Sequence, residues 1–154
     1  MGSKVEVEAE LKSNADKLWE CIRESSTLFP KIFPQQYESI EVLEGDGKSV
    51  GSVRLVKFAP GISEISCTKE KIESVDEVNK TVSYSVVDGD ILKFYKNFKG
   101  NLCVSVNLKG DGSLVKWWCE FDKASEEIPD PDLLKHFALK NFQDLDDYLL
   151  KSAA

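Results

Sequence analysis

Hydrophobic and polar residues alternate at the start of the chain, where Val5, Val7, Ala9 and Leu11 are interleaved with Glu6, Glu8, Glu10 and Lys12. A period of two marks a strand with one buried and one wet face. The period then lengthens. Ala15, Leu18, Trp19 and Ile22 fall at i, i+3, i+4 and i+7 behind Ser13 or Asn14 as a cap, and predict a helix that Ser25-Ser26 weakens. Pro30 and Pro34 bracket a second short helix or turn carrying Leu28, Phe29, Ile32 and Phe33.

From 37 to 123 the pattern is strand after strand, punctuated by Gly45 to Gly51, Pro60-Gly61, Asp76 to Lys80, Asp88-Gly89-Asp90 and Lys109-Gly110-Asp111-Gly112. That spacing predicts an antiparallel meander. Beyond Pro129 and Pro131 the helical period returns, with Leu134, Phe137, Ala138, Asn141, Leu145, Tyr148 and Leu149 recurring for about five turns. The sum is an α+β domain spanning 1–154, in which a curved antiparallel sheet needs cover on one face. Only the terminal helix is long enough to supply it. A curved sheet gripping one helix need not close tightly on it, and the space left over suits an apolar ligand.

The chain has 154 residues, enough for one domain with a core. Lys plus Arg is 20 against Asp plus Glu 27, a formal charge of -7, which repels phosphate backbones and anionic headgroups at long range. Nucleic acid is therefore a poor partner. Cys21, Cys67, Cys103 and Cys119 form no C-x-x-C pair, so reduced thiols are expected, with no metal site and no cofactor. No apolar run approaches eighteen residues and no leader of signal-peptide form is present, so a cytoplasmic protein without membrane insertion is expected.

Gly47-Lys48-Ser49 has the form of a P-loop tail, but the position five residues before Gly47 is Val42, not glycine. The downstream residues do not suit a phosphate site either. Val53, Leu55, Val56 and Phe58 are strand formers, so no helix N-terminus receives the anion. A flexible hairpin connection, whose glycines permit positive φ, is the better reading.

Four stretches in order resemble the plant major latex protein branch of the birch-pollen-allergen and pathogenesis-related class-ten superfamily. They are Leu43-Glu44-Gly45-Asp46-Gly47 with Val50-Gly51-Ser52-Val53; Val75-Asp76-Glu77 with Asn79-Lys80-Thr81-Val82; Val87-Asp88-Gly89-Asp90 followed by Tyr95-Lys96; and the helix over 131–150. The resemblance runs over 4–150. Lys48-Ser49-Val50 replaces the double glycine and proline of the allergen branch, which argues against carrying over allergen or ribonuclease properties. The resemblance implies a START-like helix-grip fold: seven antiparallel strands wrapped around the C-terminal helix, two short helices supporting its far end, and an internal hydrophobic cavity. It also implies binding of fatty acids, sterols, flavonoids or other plant metabolites, and a link with defence and stress responses.

Matching to the family turns Arg54, Val56 and Phe58 inward, where pattern alone leaves Val53, Leu55 and Lys57 equally eligible. The same matching turns Thr68, Glu70 and Ile72 inward, so Arg54 and Glu70 can pair and anchor a ligand's polar head, or snorkel to the mouth. Val82, Tyr84 and Val86 share that face. Trp117 and Trp118 are adjacent in a strand and must point oppositely, and the alternation Val115, Trp117, Cys119, Phe121 puts Trp117 and Cys119 inside. On the last helix Leu134, Phe137, Ala138 and Asn141 form the inner stripe, with Asn141 the polar group offered to a ligand, while His136 lies off it.

These residues favour a carrier of small hydrophobic molecules with loose chemical specificity. The resemblance also admits an enzyme of specialised metabolism, because some relatives use inward lysine, carboxylate and tyrosine groups. Here only Glu70, Tyr84 and Arg54 are candidates, arginine is too basic for a general base, and an arginine neighbour weakens a carboxylate as one. A hormone-receptor-like signalling module is a third reading. Those relatives carry Ser-Gly-Leu-Pro-Ala and His-Arg-Leu loops, whereas this chain has Phe58-Ala59-Pro60-Gly61-Ile62 and Asp88-Gly89-Asp90.

Overall fold

In the computed structural model, which describes residues 2–59, 66–107, 110, 112–128 and 131–152, the predicted order of elements is present. Strand β1 (Ser3–Leu11) is followed by helices α1 (Ala15–Arg23) and α2 (Ser25–Ile32). Strands β2 (Tyr37–Glu44), β3 (Val53–Phe58), β4 (Cys67–Asp76), β5 (Thr81–Gly89), β6 (Tyr95–Val106) and β7 (Ser113–Lys123) come next, and helix α3 (Asp132–Ser152) closes the chain. The strands form one seven-stranded antiparallel sheet in the order β1-β7-β6-β5-β4-β3-β2. Bulges in β2, β4 and β6 break the register, and bulges bend the strands that carry them. Pro60-Gly61, Lys109, Asp111 and Pro129 lie outside the described residues.

Local chemistry explains the helices. Asn14 caps α1 by accepting from the Asp16 and Lys17 amides at 2.9 and 3.3 Å. Ser13 is used elsewhere: its amide donates to Asp146 Oδ1 of α3 at 2.8 Å and its hydroxyl donates to the same carboxylate. Helix α2 differs from the expectation, since it starts at Ser25 and contains Pro30 instead of being bracketed by it. Only the end of the helix lies beyond the proline. Packing decides the matter, because Phe29 and Phe33 are buried with ring centroids 5.4 Å apart and Phe29 meets Tyr37 at 5.7 Å. A further difference is a single 3-10 turn, Asp90–Lys93, where the sequence suggested only a loop. Asp90 fastens it to the start of β4 by accepting from the Ser66 and Cys67 amides.

Helix α3 lies against β1 and α1, and α1 also touches β6 and β7. The inner face of β7 (Val115, Trp117, Cys119, Phe121) is buried, as the alternation predicted. Trp118 faces outward between Lys4 and Lys116, whose ammonium groups lie 5.9 and 5.6 Å from its ring.

Candidate ligand-binding cavity

Between the sheet and α3 lies a cavity of about 190 Å³. Every residue singled out from the sequence borders it except Cys119: Arg54, Val56, Phe58, Glu70, Ile72, Val82, Tyr84, Trp117, Leu134, Phe137, Ala138 and Asn141. The inner face of β3 is thus the one carrying Arg54, although Val53 is also buried. Cys119 is fully buried but packed into the core, so it offers no surface to the cavity. Burial, partly offset by a hydrogen bond with the Val5 backbone, pushes its thiol up to about 12.

One end of the space is aromatic. Tyr37, Phe58 and Phe137 pack with centroids 5.4 to 6.0 Å apart, and Phe29 joins them through Tyr37. Phe142 and Phe98 also border the cavity and did not stand out in the sequence. Phe142 follows Phe137 by five positions, so the helical spacing i, i+4 from Ala138 was the available signal.

The polar groups converge on the β3–β4 pair. Arg54 and Glu70 are register partners, with Nη2 donating to Oε1 at 3.0 Å. Arg54 Nη1 donates to Ser25 Oγ at 2.9 Å, and Thr68 Oγ1 donates to Glu70 Oε2 at 3.0 Å. Arg54 Nε is buried and has no partner among the described residues. The pair therefore lies within the protein instead of snorkelling to water, its side chains being 14% and 12% exposed.

Tyr84 packs over the neighbouring strand β6. Its cross-strand partner is Gly100, where a Cβ would fall within the Tyr84 ring, so only glycine leaves room for that ring. Trp117 Nε1 donates to the Tyr84 hydroxyl at 3.3 Å. Burial and then the Glu70 carboxylate raise the phenols of Tyr37 and Tyr84 above the ordinary range, with Arg54 acting in the opposite sense on both. Neutral phenols are hydrogen-bonding groups, not bases. Asn141 borders the cavity, and its Nδ2 donates to Gln36 Oε1 at 2.8 Å while Gln36 Nε2 donates to Asp144 Oδ2 at 2.6 Å. The amide therefore ties α3 to the entry of β2. His136 is exposed.

The glycine loop between β2 and β3 is cross-tied where a flexible link was expected. Asp46 Oδ1 accepts from the Lys48 and Ser49 amides, both at 2.8 Å, and Gly47 N donates to Ser52 Oγ at 3.2 Å. An internal carboxylate thus fills the place a phosphate would take. Arg23 donates to the Lys48 carbonyl, and Arg23 and Gly47 both border the cavity.

Among the described residues no cluster of His, Cys, Asp and Glu could hold a metal, and no helix is long and apolar enough to cross a membrane. Residues 1–152 match the Pathogenesis-related protein Bet v 1 family. The chain belongs to the Bet v 1 family. MLP-like protein 423 of Arabidopsis thaliana is 46% identical over 148 residues, 96% of this chain and 94% of that protein. The crystal structure of ginseng major latex-like protein 151 from Panax ginseng superposes with a TM-score of 0.87 at 26% identity, covering 97% and 98% of the two chains. A Thalictrum norcoclaurine synthase shares the fold at a TM-score of 0.76 and 20% identity, covering 100% and 98%. The Bet v 1 fold is thus a ligand-binding fold that includes an enzyme.

Proposed function

We propose that this Bet v 1 chain is a single ligand-binding unit that carries or stores small hydrophobic or amphipathic molecules in its cavity. The observation that carries the reading is the composition of the walls: mostly aliphatic and aromatic side chains, with Arg23 and Asn141 among them and a polar cluster at Arg54 and Glu70 to orient an otherwise apolar guest. The four cysteines are free, which suits a reducing cytoplasm. The negative net charge argues against nucleic acid as partner. A part in defence or stress responses rests on the family resemblance.

Norcoclaurine synthase, on the same fold, keeps an enzymatic reading in play, with Glu70 and Tyr84 as the acting groups. Carriage is favoured because both Glu70 oxygens are engaged and the buried Tyr84 phenol stays protonated. Native mass spectrometry after purification from plant tissue tests the proposal. Carriage predicts a small apolar molecule retained unchanged at one copy per chain, and a chain that neither retains nor takes up such molecules would overturn it. Turnover of a cavity guest, lost in Glu70→Gln with binding intact, would establish the enzyme instead.

A further inference from the structure

The polar cluster of the cavity is made of donors arranged around charges that already cancel. Arg54 and Glu70 neutralise one another, and each Glu70 oxygen has a donor, Arg54 Nη2 on one and Thr68 Oγ1 on the other. The Nε–H of Arg54 is buried, with almost no surface open to the cavity and no acceptor among the described residues. Two phenols border the same space. The Tyr84 hydroxyl accepts from the Trp117 indole N–H and keeps its own proton to give, and the Tyr37 hydroxyl has no hydrogen-bond partner among the described residues. The donors open to a guest are therefore the two phenol hydroxyls, from which a guest's oxygen can accept.

We propose that the cavity selects guests whose polar end is an uncharged oxygen acceptor, such as a ketone, ester or amide carbonyl, and discriminates against a carboxylate or phosphate on the same apolar body. This rests on the carrier reading and adds the chemical class of head that the site takes.

The selectivity is electrostatic in origin. A buried anion needs a counter-charge, and both guanidinium groups that border the cavity are already matched, Arg54 by Glu70 and Arg23 by Glu77. A second negative group would sit beside the first with no cation to spare. The two phenols report the same field, since the Glu70 carboxylate adds to burial in opposing a negative charge on either oxygen. A neutral carbonyl avoids that penalty and still offers two lone pairs to the two phenol donors.

The test is displacement of the uncharged dye Nile red at neutral pH by dodecanoic acid, methyl dodecanoate and dodecanamide. The ester and the amide are expected to compete about tenfold or more tightly than the acid, a difference near 1.4 kcal/mol. The amide guards against the ester's extra methyl as the cause, and persistence of the order at high salt separates the buried pair from the long-range negative charge. In Glu70→Gln the guanidinium becomes unmatched, so the acid should gain about tenfold relative to the amide. An acid that binds wild type as tightly as the amide would overturn the inference while leaving carriage intact. Failure of all three to displace the dye would remove both. The wild-type series stands alone if Glu70→Gln does not fold.

Discussion

Arg54 and Glu70 face one another in register on β3 and β4, 3.0 Å apart between Nη2 and Oε1, in the wall of a mostly apolar chamber. Breaking a buried pair from one side leaves a lone charge, whereas removing both sides does not. Arg54→Met is therefore expected to lower stability by about 3 kcal/mol, and Arg54→Met with Glu70→Leu to return to within about 1 kcal/mol of wild type. Urea unfolding of the three proteins checks this double-mutant cycle. Additive losses would mean that the two charges do not depend on one another.

Gly100 holds a place for the Tyr84 ring. In Gly100→Ala the new methyl occupies the ring's position, so the tyrosine must swing into the cavity and release the Trp117 indole. Overpacking of this kind costs about 1–3 kcal/mol. Dye binding should fall together with the near-ultraviolet circular dichroism of the aromatic wall, while Tyr84→Phe, which keeps the ring in place, should retain binding.

The glycine loop depends on Asp46. Its carboxyl is held below the usual carboxylate range by amide hydrogen bonds from Lys48 and Ser49 and by the Ser49 hydroxyl. A depressed folded-state value contributes stability that is complete above the unfolded value near 4 and is lost as pH falls toward the folded one. Asp46→Asn should therefore melt below wild type by a constant margin from pH 7 to about 5, and that margin should narrow below about 4. Thermal melts across this range decide it, and a margin that widens in acid would contradict the assignment.

Asp146 secures α3 to the end of β1 by accepting from the Ser13 and Lys12 amides at 2.8 and 3.2 Å. Asp146→Ala strands the buried Ser13 amide and should destabilise by about 1–3 kcal/mol. Hydrogen exchange is the sensitive readout. Protection should drop along α3 and at 12–18, and remain unchanged in β4 and β5.

Periodicity made the architecture legible because one wet face and one dry face leave a direct trace: β1, α1 and α3 could be read from single stretches of text. Pro30 misled because its local rule was outweighed by long-range burial of Phe29 and Phe33, which no short window contains. The inner face of β3 came from family resemblance, since Val53 and Leu55 alternate as convincingly as Val56 and Phe58. Helical spacing puts Asn141 on the inner stripe, but its hydrogen bond is not legible in the sequence, because its partner Gln36 lies 105 positions away. Gly100 was silent for a similar reason: its role is a vacancy shaped by Tyr84, and glycine in a strand carries no label of what fills the space above it.

The chain's three tryptophans supply the most direct test of the cavity as the binding site. Trp117 borders it, Trp19 donates to Glu77 at 2.7 Å from α1, and Trp118 lies on the outer face of the sheet. In a nitrogen-15 spectrum, titration with dodecanamide is predicted to shift the Trp117 indole signal saturably at one equivalent and to leave those of Trp19 and Trp118 in place. A shift confined to Trp118, or none at Trp117 while the amide binds, would place the ligand outside the chamber and contradict the account.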